Sequence, residues 1–242
     1  EVGKRNTGTL IKFSPDPRYF DTVKFSIKNL RHNLRSKAVL CPGLEVNFVN
    51  EIDETTDKWL FEDGIKDYLQ ASLDGLDCIP AIPFVISSKT KEEQLDCALT
   101  WTENTTNTTA ESFVNLIPTI GGGTHVNGLR SGLTDALKEF CEFRSLIPKN
   151  IKLTPDDVWQ NIAFVLSIKI LDPQFSGQTK ERLSSRECAS FVSGVVKDSF
   201  SLWLNQHTDI AEKIAELAIL NAQIRLTTDK QVIRKKIISG PA

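Results

Sequence analysis

A loop between a buried-looking strand and a helix carries the residues best suited to chemistry. The stretch LDPQFSGQTKERLSS, residues 171–185, places Gln178 and Lys180 two positions apart. Pro173 and Gly177 favour a shaped loop over a random one. A lysine ammonium and an amide are donors that suit phosphate oxygens, and a lysine aimed at a phosphate can stabilise charge during phosphoryl transfer. The commoner role of a loop lysine is a solvated surface charge, and the pattern alone leaves both readings open.

A second candidate is the glycine-rich stretch GGGTHVNG, residues 121–128, which opens a long helix. Glycines before a helix N-terminus can form an anion site. The spacing here fits neither GxxxxGK[ST] nor GxGxxG, so a tight turn that permits close helix packing is the favoured interpretation. His125 lies in this stretch, but His32 and His207 are far from it in sequence, and a histidine-based metal site is not expected.

Composition restricts the class of protein. The chain has 242 residues, of which 40% are hydrophobic and 25% charged, which is typical of a globular protein. The net charge of −2 argues against an overall electrostatic nucleic-acid binder. The five cysteines form no CxxC pair, so neither a disulfide framework nor a structural zinc site is expected, and a reducing cytoplasmic compartment fits. No apolar run is as long as a membrane span.

Hydrophobic periodicity predicts the elements of the first third. TLIKF, residues 9–13, alternates and predicts a strand. Apolar residues at helical spacing from Val23 to Leu34 predict a helix. Two strands are expected at 44–50 and 58–64, and a short helix at 65–73.

The remaining two thirds predict more strands and longer helices. Strands are expected around 84–88, 94–101 and 112–119, and again at 163–171. Thr154, Pro155 and Asp157 together predict a helix start. Helices are expected from 124, from 185 to 205, and from 208 onward. The last of these carries a heptad-like seam, predicted to pack within its own domain, of Ile210, Ile214, Leu217, Asn221 and Ile224.

The whole chain resembles the B subunits of bacterial type II DNA topoisomerases, and the topoisomerase IV branch more than the gyrase branch. The segments that carry the resemblance are KRNTGT, KAVLCPG, VNLIPTIGGGTHVNGLRSGL, LDPQFSGQTKERLSSRECASFVSGVVKDSFSLWLNQ and VIRKKIISGPA. The resemblance implies an α+β fold. Residues 1–64 would be the C-terminal remnant of a GHKL ATPase domain, 65–226 a transducer domain of the ribosomal-S5-domain-2-like type, and 227–242 a link towards the DNA-gate (Toprim) region. The chain is expected to be an internal piece of a longer protein.

The resemblance also implies roles for three residues. Gln178 and Lys180 would reach the γ-phosphate of ATP, with Lys180 the catalytic group, and Thr9 would line the adenine pocket. ATP and Mg²⁺ would be cofactors of the parent protein. The family's general-base glutamate, magnesium-binding asparagine, adenine-binding aspartate and glycine-rich lid match nothing in this chain, which holds no expected metal ligand. The chain alone is therefore expected to bind ATP poorly and to be inactive.

The partners implied by the resemblance are DNA, the A subunit of topoisomerase IV and a second B subunit, without a membrane. Two alternatives stay open: the gyrase B subunit or another GHKL machine such as a mismatch-repair ATPase, and a non-catalytic nucleic-acid-binding module with an S5-like fold. The second rests on the basic tail, formed by Arg225, Lys230, Arg234, Lys235 and Lys236.

Overall fold

The computed structural model describes residues 7–103 and 109–238, with side chains up to residue 228. The helices are α1 (Ile27–Leu40), α2 (Ile65–Ser72), α3 (Thr124–Phe143), α4 (Pro155–Trp159), α5 (Arg186–Gln206) and α6 (Thr208–Ile238). The strands are β1 (Val46–Asn50), β2 (Thr55–Trp59), β3 (Cys78–Lys89), β4 (Glu93–Thr102), β5 (Ala110–Val114), β6 (Ile117–Pro118) and β7 (Ile162–Ile170). The architecture is α+β, as predicted.

Strand β7 is the centre of a five-stranded sheet with the order β3-β4-β7-β5-β6. It pairs antiparallel with β4 and parallel with β5. Helices cover both faces. Phe164, Leu166 and Ile168 of β7 belong to the core shared with α3 and α5, whereas Ala163 and Val165 belong to a smaller core with α1 and α2. The alternation in the sequence therefore separates two buried faces, with the larger side chains on the face of the longer helices.

The N-terminal segment differs from the prediction. Residues 9–13 form no strand, and Leu10 is 95% exposed and Phe13 62% exposed. A strand needs a neighbour to satisfy its backbone groups, and no strand among the described residues pairs with this segment. The hairpin that follows α1 is confirmed, but β2 begins earlier than predicted because Asn50 pairs with Thr55.

Helices α3 and α5 approach each other closely through two glycines of α3. A Cβ at Gly128 would lie 2.6 Å from the carbonyl oxygen of Ala189, and one at Gly132 would lie 2.7 Å from that of Ser193. Both distances are shorter than a van der Waals contact. The predicted apolar stripe of α3 completes this interface, since Leu129, Leu133 and Leu137 are fully buried.

Helix α6 packs on its own domain, as predicted, but its seam drifts. Ile214 and Asn221 are buried, whereas Ile224 is 53% exposed, so its placement in the seam is wrong. A straight helix falls behind a 3.5-residue repeat by about 20° per heptad, which turns Ile224 away after two heptads. Alanines 211, 215, 218 and 222 supply much of the contact instead.

Along the described chain, every helix is too short or too polar to span a membrane. The side chains of the basic tail beyond Arg225 lie outside those that the structure describes.

The glycine contacts predict opposite effects for one substitution at two helix positions. Gly128→Ala should lower the free energy of unfolding by about 1–3 kcal/mol, the usual cost of overpacking. Gly194→Ala in α5 is the matched control. Its Cβ would meet nothing within 4 Å, so the better helix propensity of alanine should raise stability by about 0.5–1 kcal/mol. Urea unfolding of the two variants measures both effects. A stabilising Gly128→Ala would contradict the close packing of α3 on α5.

Candidate functional site

The segment after β7 leaves the sheet as a hairpin-like loop, residues 174–184. The N–H of Ser184 donates to the carbonyl of Gln174 at 2.8 Å, and the N–H of Ser176 donates to that of Arg182 at 3.0 Å. Phe175 and Leu183 face each other between these two bonds as an isolated β-bridge. The two arms are thus held together, and residues 177–181 form the tip.

Gln178 and Lys180 both lie exposed at this tip. Lys180 has φ = +57°, a left-handed conformation that costs a non-glycine residue roughly 1–2 kcal/mol. Its N–H donates to the carbonyl of Gly177 at 3.1 Å, and its Nζ lies 5.9 Å from the centroid of the Phe175 ring. A left-handed residue that closes a hydrogen-bonded hairpin turn is common loop geometry, and Glu54 in the β1–β2 turn adopts it too, with φ = +52°.

The loop is hydrogen-bonded to the glycine loop, residues 121–123, so the two candidate motifs form one structure. The N–H of Gly121 donates to Glu181 O at 2.9 Å, and the N–H of Leu183 donates to Gly122 O at 3.0 Å. The Arg182 guanidinium donates to Gly121 O at 3.0 Å. Leu183 is 1% exposed, which anchors this arm of the loop in the core.

Gly123 is required by this contact. Its φ is +135°, and a Cβ there would lie 2.3 Å from the carbonyl oxygen of Leu183. That same oxygen accepts the N–H of Thr124, the first residue of α3, at 3.1 Å. One of the backbone N–H groups at the start of α3 is therefore already bonded to a protein carbonyl and not available to an anion. Close packing, the interpretation that the sequence favoured for the glycines, is what the structure shows.

His125 supports the glycine loop from inside. It is fully buried, and its Nε2 lies 3.0 Å from the hydroxyl of Thr119, which also donates to the carbonyl of Ser112 at 2.9 Å. Its Nδ1 has no hydrogen-bond partner among the described residues. Burial lowers the pKa of His125 to about 4, so the ring is neutral near pH 7. The ring is a polar link between the helix start and β5.

The predicted site residues do not all converge. Gln178 and Lys180 share one loop tip, whereas Thr9 lies exposed in the irregular N-terminal segment and makes no hydrogen bond to the 174–184 loop in the described part of the chain. Nor do the side chains of residues 7–103 and 109–228 include a group of three or more that could hold a metal ion. The sequence also missed the supporting residues Phe175, Arg182 and Leu183, although the three glycines before α3 signalled a close contact.

This arrangement can hold an anion from one side only. An ammonium and an amide project from a loop whose base is fixed to the sheet and to α3, and both groups are suitable donors to phosphate oxygens. Because the tip is exposed, a bound anion would need a second surface on its far side.

Solved structures with the same fold are ATPase regions of bacterial topoisomerases. The topoisomerase IV ATP-binding domain of Francisella tularensis, solved with a small-molecule inhibitor, is 41% identical with a TM-score of 0.75, over 88% of this chain and 57% of that one. The 43K ATPase domain of Thermus thermophilus gyrase B, solved with an aminocoumarin, is 28% identical with a TM-score of 0.74, over 90% and 58% of the two chains. The predicted fold class is confirmed.

Sequence comparison gives the family. The DNA gyrase B family model matches residues 64–232, and the chain belongs to the DNA gyrase B family. It is 56% identical over 240 residues to the B subunit of DNA topoisomerase 4 from Haemophilus influenzae and 57% identical over 241 residues to that from Pseudomonas aeruginosa. Nearly all of this chain is aligned in both cases, but it spans only 38% of the length of those relatives. The resemblance inferred from the motifs is confirmed.

The buried histidine predicts a pH dependence of stability. Its pKa is about 4 in the folded protein and about 6.5 when unfolded, so the unfolded chain binds the proton first as the pH falls from 6.5 towards 4. The contribution of His125 to the free energy of unfolding is therefore fully present above pH 6.5, where the ring is neutral in both states. It decreases as the pH falls below 6.5. From pH 7 to pH 5 the loss should be about 2 kcal/mol greater in the wild type than in His125→Gln, which cannot protonate. Urea unfolding at both pH values measures this difference, and parallel losses in the two proteins would refute it.

Proposed function

We propose that this chain is the energy-transducing part of the ATPase subunit of a bacterial type II DNA topoisomerase of the topoisomerase IV kind. Gln178 and Lys180 contact the γ-phosphate of ATP that is bound mainly by the preceding GHKL domain. The gain and loss of that contact couple hydrolysis to the passage of DNA strands. Membership of the DNA gyrase B family and the identity of 56–57% to topoisomerase 4 B subunits support the topoisomerase IV assignment.

The observation that carries the proposal is the placement of Lys180 at the exposed tip of a loop whose two arms are hydrogen-bonded to each other. The loop keeps this lysine in a left-handed backbone geometry at an exposed tip, while both arms of the loop are hydrogen-bonded. A lysine that must meet a phosphate presented by another domain gains a fixed direction of approach.

The residues of the tip fit a terminal phosphate. The ammonium of Lys180 supplies a compact charge with three donors, and the amide of Gln178 adds two neutral donors. ATP supplies the phosphoryl group when it is bound, and Mg²⁺ would be held with it by the preceding domain. Lys180 acts by stabilising the negative charge that develops on the phosphate oxygens.

The loop transmits its contacts because of what its arms touch. Its C-terminal arm leads directly into α5, and it is hydrogen-bonded to the start of α3. With a triphosphate present, Lys180 and Gln178 gain contacts that they lose after the γ-phosphate departs. Such a differential interaction is what a ligand needs in order to shift a conformational equilibrium. The α3–α5 pair then changes its position relative to the preceding domain.

The remaining assignments complete the proposal. Residues 1–64 are the end of the GHKL domain, with Thr9 at its adenine pocket, residues 65–226 are the transducer, and 227–242 lead towards the DNA gate. The family match that begins at residue 64 supports the first boundary. Helix α6 continues across the second boundary to Ile238. The proposed partners in the cytoplasm are DNA, the A subunit and a second B subunit.

Lys180→Ala in the full-length subunit tests the proposal. Hydrolysis should fall by about 10²–10³-fold, the usual effect of removing one preorganised donor to a transition state. Binding of a non-hydrolysable ATP analogue should weaken, whereas ADP, which has no γ-phosphate, should bind as it does to the wild type. Gln178→Ala should reproduce the same selectivity with a smaller loss, because its hydrogen bond is uncharged. Steady-state phosphate release and calorimetric titration give the three quantities.

Lys149→Ala is the matched control. Lys149 is an exposed loop lysine beyond the C-terminal end of α3, at the opposite end of the helix from the glycine loop. Its removal should leave both hydrolysis and nucleotide selectivity unchanged. Wild-type turnover in Lys180→Ala, or an equal loss of ATP-analogue and ADP binding, would refute the γ-phosphate contact.

The 242-residue polypeptide alone should not hydrolyse ATP. It supplies Gln178 and Lys180 but no segment that matches the family's general base, magnesium ligand or lid, so the phosphate would be contacted from one side only. Phosphate release by the purified polypeptide should equal that of buffer. Magnesium-dependent turnover that persists in the wild type and disappears in Lys180→Ala would contradict this expectation.

A further inference from the structure

Besides its apolar contacts with the core, helix α6 is held to the rest of the fold by hydrogen bonds to one buried carboxylate, that of Asp157. Asp157 is 2% exposed and caps α4, accepting the N–H of Thr154 at 2.7 Å and its hydroxyl at 2.8 Å. Arg225 of α6 binds the same carboxylate with both arms of its fork. Its Nε donates to Oδ1 at 2.8 Å and its terminal nitrogen to Oδ2 at 2.9 Å.

Main-chain contacts reinforce this attachment. The Asn221 amide of α6 donates to the Asp157 carbonyl at 3.0 Å, and Arg225 also donates to the Lys152 carbonyl at 3.2 Å. Asn221 is itself buried. The residues Thr154, Asp157, Asn221 and Arg225, named here the Asp157 junction, therefore fix α6 in rotation and in register.

Other contacts of α6 are less specific. Its buried apolar face consists of alanines and Ile214, with Ile210, Leu217 and Ile219 half-buried beside them, and such apolar contacts are not directional. An ion pair of α6 within the described residues, Arg144 with Glu212 at 3.0 Å, is partly exposed, and such surface pairs contribute little. In the Asp157–Arg225 pair the arginine side chain is 31% exposed but the carboxylate is only 2% exposed. The pair is bidentate, which gives it strict geometry, and breaking it leaves the carboxylate charge buried without its partner.

The Asp157 junction and the 174–184 loop lie at opposite ends of the central strand. Helix α4 ends at Trp159, just before β7 begins at Ile162, and the loop follows β7 at its other end, Ile170. Strand β7 spans about 30 Å at 3.3 Å per residue and is hydrogen-bonded on both sides. Because its neighbours hold it straight, β7 should move as a unit, and a displacement of the loop at one end should reach the Asp157 junction at the other.

We propose that Asp157 and Arg225 are positioning residues that make α6 move with the central strand. Helix α6 then transmits the state of the 174–184 loop to the part of the parent protein that follows residue 238. This role rests on the proposed function, because it supposes that the loop responds to nucleotide. It concerns transmission alone, so the junction should affect coupling without affecting hydrolysis itself.

The test uses the full-length B subunit assembled with its A subunit and measures two quantities together. These are ATP hydrolysed and DNA strands passed, and their ratio is the coupling. Arg225→Leu removes the fork but leaves the cap of α4 in place. We expect hydrolysis to persist while strands passed per ATP fall by about fivefold or more, in the range of measured coupling between sites. Arg225→Lys keeps the charge but not the fork and should give an intermediate ratio.

Glu212→Gln is the matched control, because it breaks an ion pair that α6 makes with Arg144 on the body of the protein. It should leave both hydrolysis and coupling at wild-type values. Asp157→Asn, the second variant, keeps the shape of the side chain and should reproduce the loss in Arg225→Leu.

Two outcomes would overturn the inference. One is an unchanged ratio in Arg225→Leu. The other is a parallel fall of hydrolysis and strand passage, which indicates a general loss of folded protein. Failure of the proposed function would appear elsewhere, as wild-type turnover and nucleotide selectivity in Lys180→Ala.

Discussion

The structure depends on backbone contacts that are possible only where α3 and its preceding loop lack a Cβ. Gly121 and Gly123 contact residues 181 and 183, and Gly128 and Gly132 contact residues 189 and 193. The separation along the chain stays at 60 or 61 residues, so the glycine loop with α3 runs parallel to the arm of the 174–184 loop with α5. At Gly123, Gly128 and Gly132 the carbonyls of the second segment lie where a Cβ would otherwise be, and at Gly121 the approach is tight. The two segments therefore behave as one body.

This body joins the proposed phosphate contact to the core. Lys180 and Gln178 extend from it into solvent, whereas Leu183 and His125 fix it from within. A polar tip on a rigid base both fixes the direction of its donors and passes their displacement on, which a mobile loop cannot do. The donors keep a defined direction, and their displacement is passed to helices rather than lost in the loop. On the opposite side, the Asp157 junction connects the same sheet to α6.

Local features of the fold could be predicted from the sequence. Thr154, Pro155 and Asp157 identified the start of α4, because a cap is made by residues three positions apart. The strand predicted at residues 9–13 failed because a strand requires a partner that local alternation does not reveal. Both loop motifs were recognised, but their contact was not. It depends on the missing Cβ of Gly123 and on residues 60 positions away. Likewise Asp157 was recognised as a cap, while its second role depends on Arg225, 68 residues further on.

Asn115 determines where the 174–184 loop can begin. Its side chain accepts the N–H of Ile170 at 3.0 Å and donates to the carbonyl of the same residue at 2.8 Å, replacing a neighbouring strand at the last residue of β7. The chain is thus fixed at Ile170 and again at the rung between Ser176 and Arg182. Beyond that rung the chain reverses within residues 177–181, since the N–H of Lys180 donates to the carbonyl of Gly177. The length of the loop therefore fixes how far Lys180 stands out from the sheet, and with it the greatest distance from the sheet at which an anion could meet this lysine.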